Sequence, residues 1–519
     1  MPPRPPSWAA RGLWVGLTAL GLISAFPAFP AASYLPAPVA PPAPWREFRG
    51  MWVATVNNID WPTRPGLSTK QQQAELLAIL DRAVQLRFNA VIFQVRPACD
   101  ALYASRYEPW SEYLTGQMGK APAPFYDPLS FAVQAAHERG LELHAWFNPF
   151  RARHGTGKSP VAPDHISRTQ PHLVRSYNGQ LWLDPGEKAV QEHSLRVILD
   201  VVRCYDIDGV HLDDYFYPYP EKDARRNPLD FPDGTSWRKY VESGGKLSRT
   251  EWRRDNVDRF VQRLYQAIKA EKARVKVGIS PFGIWRPGYP SDVRGFDAYA
   301  GLYADSRKWL GQGWLDYLAP QLYWSVDAKQ QSFASLLRWW AEQNPRGRQI
   351  WPGGSLYSVG AGREASEIVR QIRLTRMTRG VGGYVHWSAR CLMQNQGRIA
   401  ETLSAQVYTE PALVPAFPWL DRTPPAQPSL KLVGGLATSP LRLSWNVPGA
   451  DAVGHWVVQM KVDGRWQTEI LPGRQISLSV PASRKPEVIA VRAADRCGNL
   501  SSAAGLERQA MPPRRGRRP

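Results

Sequence analysis

The sequence predicts an α/β chain, a (β/α)8 TIM-type barrel followed by a small all-β sandwich domain, and three observations carry that expectation. Between residues 48 and 385, short apolar strands alternate with amphipathic helices eight times. Past a proline-rich break at 409–428, residues 429–508 hold short alternating strands with turn signals at Pro448-Gly449 and Asp463-Gly464. Two adjacent carboxylates, Asp213 and Asp214, stand where the fourth strand ends, which is the end of a barrel that carries its chemistry.

The chain starts with Arg4 and Arg11 and an uncharged apolar run over 13–29, similar to a signal peptide. Pro27 and Pro30 interrupt the run and no clean small-x-small cleavage site follows, so 1–32 reads as a signal peptide or N-terminal anchor. Residues 33–44 are proline-rich and are expected as an extended tether. The barrel is expected over 45–408. Its strands fall at 48–56, 89–95, 141–147, the run carrying Val210 and Leu212, 275–279, 315–322, 349–353 and 381–385. Helices fall between them at 70–86, 128–139, 188–205, 253–271, 306–310, 330–343 and 364–379. A doubly wound open sheet is the rival arrangement of the same elements. Nothing after residue 32 has the length of a membrane span, and 509–519 form a basic tail with Arg514, Arg515, Arg517 and Arg518.

Composition narrows the function class. With 43% hydrophobic residues, 22 Trp and 20 Tyr, the chain fills a large core and has flat rings left for sugar faces. A net charge of +20 raises nucleic acid as a partner, but no tight basic helix or aromatic–basic module is present, and an exported chain meets an anionic envelope instead. No nucleic-acid partner, cofactor or metal is expected, since His144, His211 and the aspartates lack a helical i, i+4 ligand pair. Cys99, Cys204, Cys391 and Cys497 allow three full pairings in an oxidising compartment, and the sequence does not choose among them. It is silent on oligomeric state.

In a barrel the strand exits are the candidate site. They supply Asn57, Asn58, Asp60 and Trp61, then Gln94, Arg96 and Asp100, then Trp146, Asn148 and Arg151. The fourth gives His211, Asp213, Asp214, Tyr215 and Tyr217; the later ones give Ser280, Phe282 and Trp285, then Gln321, Tyr323 and Trp324, then Tyr357, His386 and Trp387. Rings, amides and carboxylates with almost no lysine suit a neutral sugar. Asp213 and Asp214 are the expected catalytic residues. Trp52, Gln94, Arg96, Asp100, Asn148, His211, Tyr215, Tyr217, Tyr323, Trp324 and Trp387 are the expected substrate contacts. Arg96 is read either as a carboxylate binder or as a tie for Asp100, and His211 as the group that orients Asp213. Core packing is an equal reading for each Trp.

The segments R-G-M-W-V-A-T (49–55), F-Q-V-R-P-A-C-D-A-L-Y (93–103), D-G-V-H-L-D-D-Y-F-Y-P (208–218) and A-P-Q-L-Y-W (319–324) together resemble the bacterial glycosyl hydrolase-like 10 family. The resemblance implies a barrel, an exported or envelope-anchored periplasmic glycosidase, and cell-wall glycan stripped of peptide as the polysaccharide it acts on. The ending A-V-R-A-A-D-R-C-G-N-L-S (490–501) is similar to the last strands of fibronectin type III domains. Glycosidases ordinarily place two carboxylates across the scissile bond, whereas Asp213 and Asp214 are chain neighbours. Three mechanisms stay open. In the first, similar to substrate-assisted hexosaminidases, the sugar's acetamido oxygen attacks, Asp213 holds the acetamido N–H, Asp214 is acid then base, and Tyr323 holds the acetamido oxygen. In the second, Asp213 is a covalent nucleophile on another polysaccharide, although the fifth strand lacks a matching Glu in G-I-S-P-F-G (278–283). In the third, the partner is Asp100 or Asp60. A non-catalytic envelope glycan-binding protein is the rival to all three.

Overall fold

The structure is a computed structural model and describes residues 34–434, 440–448, 453–481, 483–484 and 486–509. The signal or anchor segment expected at 1–32 and the tail past 509 lie outside the described residues.

Eight parallel strands close on themselves. They are β1 (Phe48–Val53), β2 (Ala90–Arg96), β3 (Glu142–Phe147), β4 (Gly209–Leu212), β5 (Lys276–Ile279), β6 (Tyr317–Leu318), β7 (Gln349–Ile350 and Gly353–Ser355) and β8 (Gly383–Trp387). β7 is split at Trp351-Pro352, where the proline has no N–H for the ladder; its first piece pairs with β6 and its second with β8. β1 then pairs with both β8 and β2. Each strand from β1 to β6 pairs in parallel with the next, β7 joins β6 to β8, and β8 returns to β1. That consecutive, closed order is a barrel and rules out the open doubly wound arrangement, in which the strand order reverses about β1.

Each strand is followed by a helix: α1 (Thr69–Gln85), α2 (Pro128–Glu138), α3 (Lys188–Cys204), α4 (Arg249–Glu271), α5 (Ser306–Gln312), α6 (Phe333–Glu342), α7 (Ala365–Met377) and α8 (Ile399–Gln406). Capping boxes start two of them, Ser68 with Gln71 at α1 and Ser248 with Glu251 at α4. Alternation along the strands sorts the core into two layers. Met51 and Val53 of β1 pack outward with Leu76 and Leu80 of α1, while Phe48 and Trp52 turn inward with Trp146, Tyr317 and Trp351. So many rings fit inside only because small residues face them. A Cβ on Gly278 would overlap the Tyr317 ring, and one on Gly353 would strike Trp52.

The loop expected between β3 and α3 contains a three-stranded antiparallel sheet, Arg151–Arg153, Gln180–Leu183 and Val174–Tyr177. Its hairpin turns on Asn178-Gly179, both at positive φ (44 and 73°), the pair a tight hairpin turn selects.

The C-terminal domain is a two-sheet β-sandwich. Ser429–Gly434, Leu441–Asn446 and Ser477–Val480 form one sheet. The other runs Ala504–Arg508, Val488–Asp495, Val453–Val462, Arg465–Pro472. Residues expected as a tether are docked on it: Tyr34–Pro36 adds an antiparallel strand beside Ala504–Arg508. The expected linker is docked as well, with Phe417 N–H donating to Cys497 O (2.8 Å) and Trp419 Nε1 to Asp316 (2.8 Å). The sandwich thus sits at the N-terminal ends of the barrel strands, away from the strand exits. None of the three cysteine pairings is formed; Cys99, Cys391 and Cys497 are buried and apart, and Cys204 is exposed. Among the described residues no helix is long and apolar enough to cross a membrane.

Candidate active site

The strand exits enclose a cleft of ≈ 320 Å³, within the range of small-ligand sites, about 300–1,000 Å³. Asp213 and Asp214 lie at its floor, each only 5% exposed. Alternation beyond β4 sends them to different neighbours. Asp213 faces β3, accepting from Asn148 Nδ2 (2.6 Å) and, through its other oxygen, from Tyr215 N (3.3 Å). Asp214 faces away from β3, and its carboxylate accepts from the Tyr219 hydroxyl, while the Gln321 amide beside it donates to Ser280 O (3.0 Å).

The donors to Asp213 are themselves oriented. The backbone N–H groups of Thr55 and Val56 donate to Gln94 Oε1 (2.9 Å each), Gln94 Nε2 donates to Asn148 Oδ1 (2.7 Å), and that leaves the Asn148 amide N–H for Asp213. Burial pushes Asp213 up to about 7, helped by the adjacent Asp214 charge and opposed by Arg151 and Asn148. Burial raises Asp214 as well, against the hydrogen bond from Tyr219 and the polar Gln321 side chain. Two like groups forced together out of water keep one proton between them towards neutrality.

The walls are aromatic. Trp387 stands edge-on to Trp52 and to Trp146, with ring centroids 6.1 and 6.0 Å apart, and Tyr215, Tyr323 and Phe282 complete the lining. Burial, with the Asp214 charge behind it, holds the Tyr323 phenol well above its ordinary value, so it remains an O–H donor. Arg151, 4% exposed, lies with its guanidinium 4.1 Å from the Tyr215 ring centroid, and its Nε has no hydrogen-bond partner. Beside it, His154 accepts at Nδ1 from Thr156 (2.7 and 3.2 Å), which leaves the proton on Nε2. Burial and the Arg151 charge push this imidazole down to about 4, so it is neutral.

Of the expected contacts, Trp52, Gln94, Tyr215, Tyr323 and Trp387 border the cleft, and Asn148 stands directly behind Asp213. The others do not border it. Arg96 neither reaches a substrate carboxylate nor ties Asp100. Its guanidinium is fully buried against Glu108 (2.5 and 2.7 Å) and the carbonyls of Asn148 and Pro149, so it fixes the turn that presents Asn148. Asp100 accepts from Ala98 N (2.8 Å) inside the loop after β2. Asp60, bonded to Ala54 N, Ser388 and Arg390 N, is likewise consumed by structure. Tyr217 packs against Phe231 and Tyr303 on the far side of its loop. Trp324 sits one layer out, edge-on to Phe282. His211 does not orient Asp213; it bonds Trp52, Ser280 and Tyr317 beneath the cleft.

Tyr219 and His154 border the cleft without being named by the strand exits, and Trp146, Arg151 and Gln321 stand at exits without an expected role. Arg151 and His154 arrive on the small sheet after β3, whose Asn178-Gly179 turn was the available signal. Tyr219 is the third tyrosine of Y-F-Y-P-Y, and nothing in that run distinguishes it from Tyr217. Among the described residues no group of three or more His, Cys, Asp or Glu could hold a metal ion.

The glycosyl hydrolase-like 10 family matches residues 47–368 of this chain. Glycosyl hydrolase YngK of Bacillus subtilis (strain 168) is 42% identical over 400 residues, which span 75% of this chain and 77% of that protein. Glycosyl hydrolase DigH of Escherichia coli (strain K12) is 35% identical over 350 residues, 63% of this chain and 77% of that one. A family match over most of the chain and relatives of this identity agree with a closed barrel that gathers aromatic walls and buried carboxyls at its strand exits: the chain belongs to the glycosyl hydrolase-like 10 family and is a glycoside hydrolase.

Proposed function

We propose that this glycoside hydrolase is exported and cleaves cell-wall glycan built of 2-acetamido sugars, with the substrate's own acetamido group as the nucleophile. The observation that carries the reading is the cleft's carboxylate inventory: among the described residues its lining holds Asp213 and Asp214 and no third carboxylate. A covalent nucleophile paired with a distant acid lacks that second group. A substrate-supplied nucleophile does not need it.

In the free enzyme the pair keeps one proton. When an acetamido N–H donates to Asp213 it favours the ionised form there, and the proton is left to Asp214. The acetamido oxygen, held by the Tyr323 hydroxyl, attacks the anomeric carbon while the bond to the leaving oxygen breaks and Asp214 protonates that oxygen. Water then opens the oxazoline-type intermediate, giving its proton to Asp214 and restoring the starting state with the anomeric configuration retained. Trp52, Trp146 and Trp387 offer faces for the sugar rings. Arg151, with His154 Nε2–H beside it, offers the donors for an acidic substituent such as a lactyl carboxylate. The 1–32 segment supports export, the +20 net charge supports retention on an anionic envelope, and the three-plus-four strand order of the sandwich supports a fibronectin type III-like spacer.

The test is mass spectrometry of peptide-stripped peptidoglycan glycan after incubation with wild type, Asp213→Asn and Asp214→Asn. Reducing oligosaccharides from wild type alone are expected. Intact glycan with wild type overturns the substrate, and undiminished cleavage by either variant overturns the mechanism.

A further inference from the structure

Below the cleft, a line of buried hydrogen bonds runs down the barrel axis. Trp52 Nε1 lies 3.1 Å from His211 Nε2, His211 Nδ1 3.0 Å from Tyr317 Oη, Tyr317 Oη 2.8 Å from His144 Nδ1, and His144 Nε2 3.0 Å from Glu142. Glu142 in turn accepts from Lys276 (2.7 Å). All of these side chains are buried, and glycines make the room: a Cβ on Gly209 would strike the His144 ring and one on Gly278 the Tyr317 ring.

The two ends fix every proton in between. An indole N–H only donates, so His211 Nε2 accepts and its proton is on Nδ1. That proton goes to Tyr317 Oη, whose own hydrogen goes to His144 Nδ1, and His144 Nε2–H goes to the Glu142 carboxylate. Were His211 to take the other tautomer, its Nε2–H would face the Trp52 N–H, and Trp52 would lose its acceptor inside a dry core, at a cost of roughly 1–3 kcal/mol. The other polar neighbour of Nε2, Ser280 (3.0 Å), is satisfied by either tautomer, so it does not set the choice.

We infer that Tyr317, with His144 and Glu142 behind it, is a positioning residue: it locks His211 in the Nδ1–H tautomer and thereby pins the Trp52 ring as a wall of the cleft. This rests on the proposed function only in its second readout. The first is NMR of ¹⁵N-His- and ¹⁵N-Trp-labelled protein, with Trp52→Phe and His211→Gln to assign the signals. Wild type shows His211 as the Nδ1–H tautomer and a slowly exchanging Trp52 indole N–H. In Tyr317→Phe the Nδ1–H has no acceptor, so the Nε2–H tautomer, which Ser280 accepts, becomes populated beside it, and the indole N–H exchanges about tenfold faster, a fold-change matching one lost hydrogen bond. The second readout is the Kd for peptide-stripped glycan, which rises about tenfold in Tyr317→Phe and by no more in the Tyr317→Phe/Trp52→Phe double variant than in Trp52→Phe alone. A wild-type His211 carrying its proton on Nε2 overturns the inference, and that measurement stands whether or not Tyr317→Phe folds. An unmoved Trp52 signal in a folded Tyr317→Phe overturns it too. Failure of glycan to bind, with the NMR result as stated, overturns only the choice of substrate.

Discussion

Asp208 and Asp213 flank the same four-residue strand, β4, and each borders a cavity of similar size: ≈ 300 Å³ between the barrel and the sandwich for Asp208, ≈ 320 Å³ at the strand exits for Asp213. Both are buried. Burial works to raise both, yet Asp208 ends well below the ordinary carboxylate range and Asp213 near 7. Company makes the difference. Asp208 accepts from His137 (2.8 Å) and Leu143 N (2.9 Å), with Arg496 3.9 Å away, whereas Asp213 has another carboxylate beside it, set against the Arg151 charge, one amide and one backbone N–H. One end of the strand uses its aspartate to join two domains, and the other leaves its aspartate raised towards neutrality at the floor of the cleft.

The strongest way to break that contrast is to remove the charge at each end. Asp213→Asn or Asp214→Asn should cut kcat by about 10²–10⁴ and leave the fold intact, read by hydrolysis rates beside circular dichroism. Asp208→Asn should do the converse. Removing one partner of a buried pair costs about 3–5 kcal/mol, seen as a lower Tm, with kcat at 25 °C within twofold of wild type.

pH separates the two ends further. A folded value near 7 exceeds the ordinary aspartate value of about 3.9, so the native state binds more protons than the unfolded one between them. Stability from Asp213 is therefore full below about pH 4 and falls as pH rises through 7. Asp208, with its lowered value, contributes stability that is present above about pH 4 and is lost as acid protonates it. Denaturant melts of Asp213→Asn should show a stability gain over wild type at pH 8 that vanishes by pH 4. For activity, kcat/KM should decline above pH 7 as the pair gives up its shared proton. The smallest expected effect is at Tyr219→Phe. Losing a donor to the ionised form raises the Asp214 value and should move the acid limb of the kcat/KM profile upward by about half a unit, with kcat reduced less than tenfold.

The strands and helices were legible because period 2 and period 3.6 are written into the chain, and so was the place of the aspartate pair at the end of β4. The difference between Asp208 and Asp213 was not: Asp208 is set by His137 on α2 and Arg496 on the sandwich, both remote in sequence. Trp52, Gln94 and Trp387 were legible because alternation governs residues on a strand, while Tyr323, five residues past β6, was reached only as part of the sixth strand's exit. Alternation lapses in the turns beyond, which is why Asp100 and Tyr217 faced away and Tyr219 took the contact; Arg96, the last residue of β2, turned to Glu108 past a register shift between Gln94 and Arg96. The docked segments at 34–36 and 411–420 read as free proline-rich chain because their partners are strands and aromatics in the other domain.

The proposed mechanism depends on a proton held by the Asp213–Asp214 pair near neutrality, and ¹³C NMR titration of protein labelled at the aspartate carboxyl carbons observes it directly. A carboxyl that titrates near pH 7 in wild type, and whose signal is gone in Asp213→Asn, is the predicted result. Aspartate signals that all complete their titration below pH 5 would contradict it.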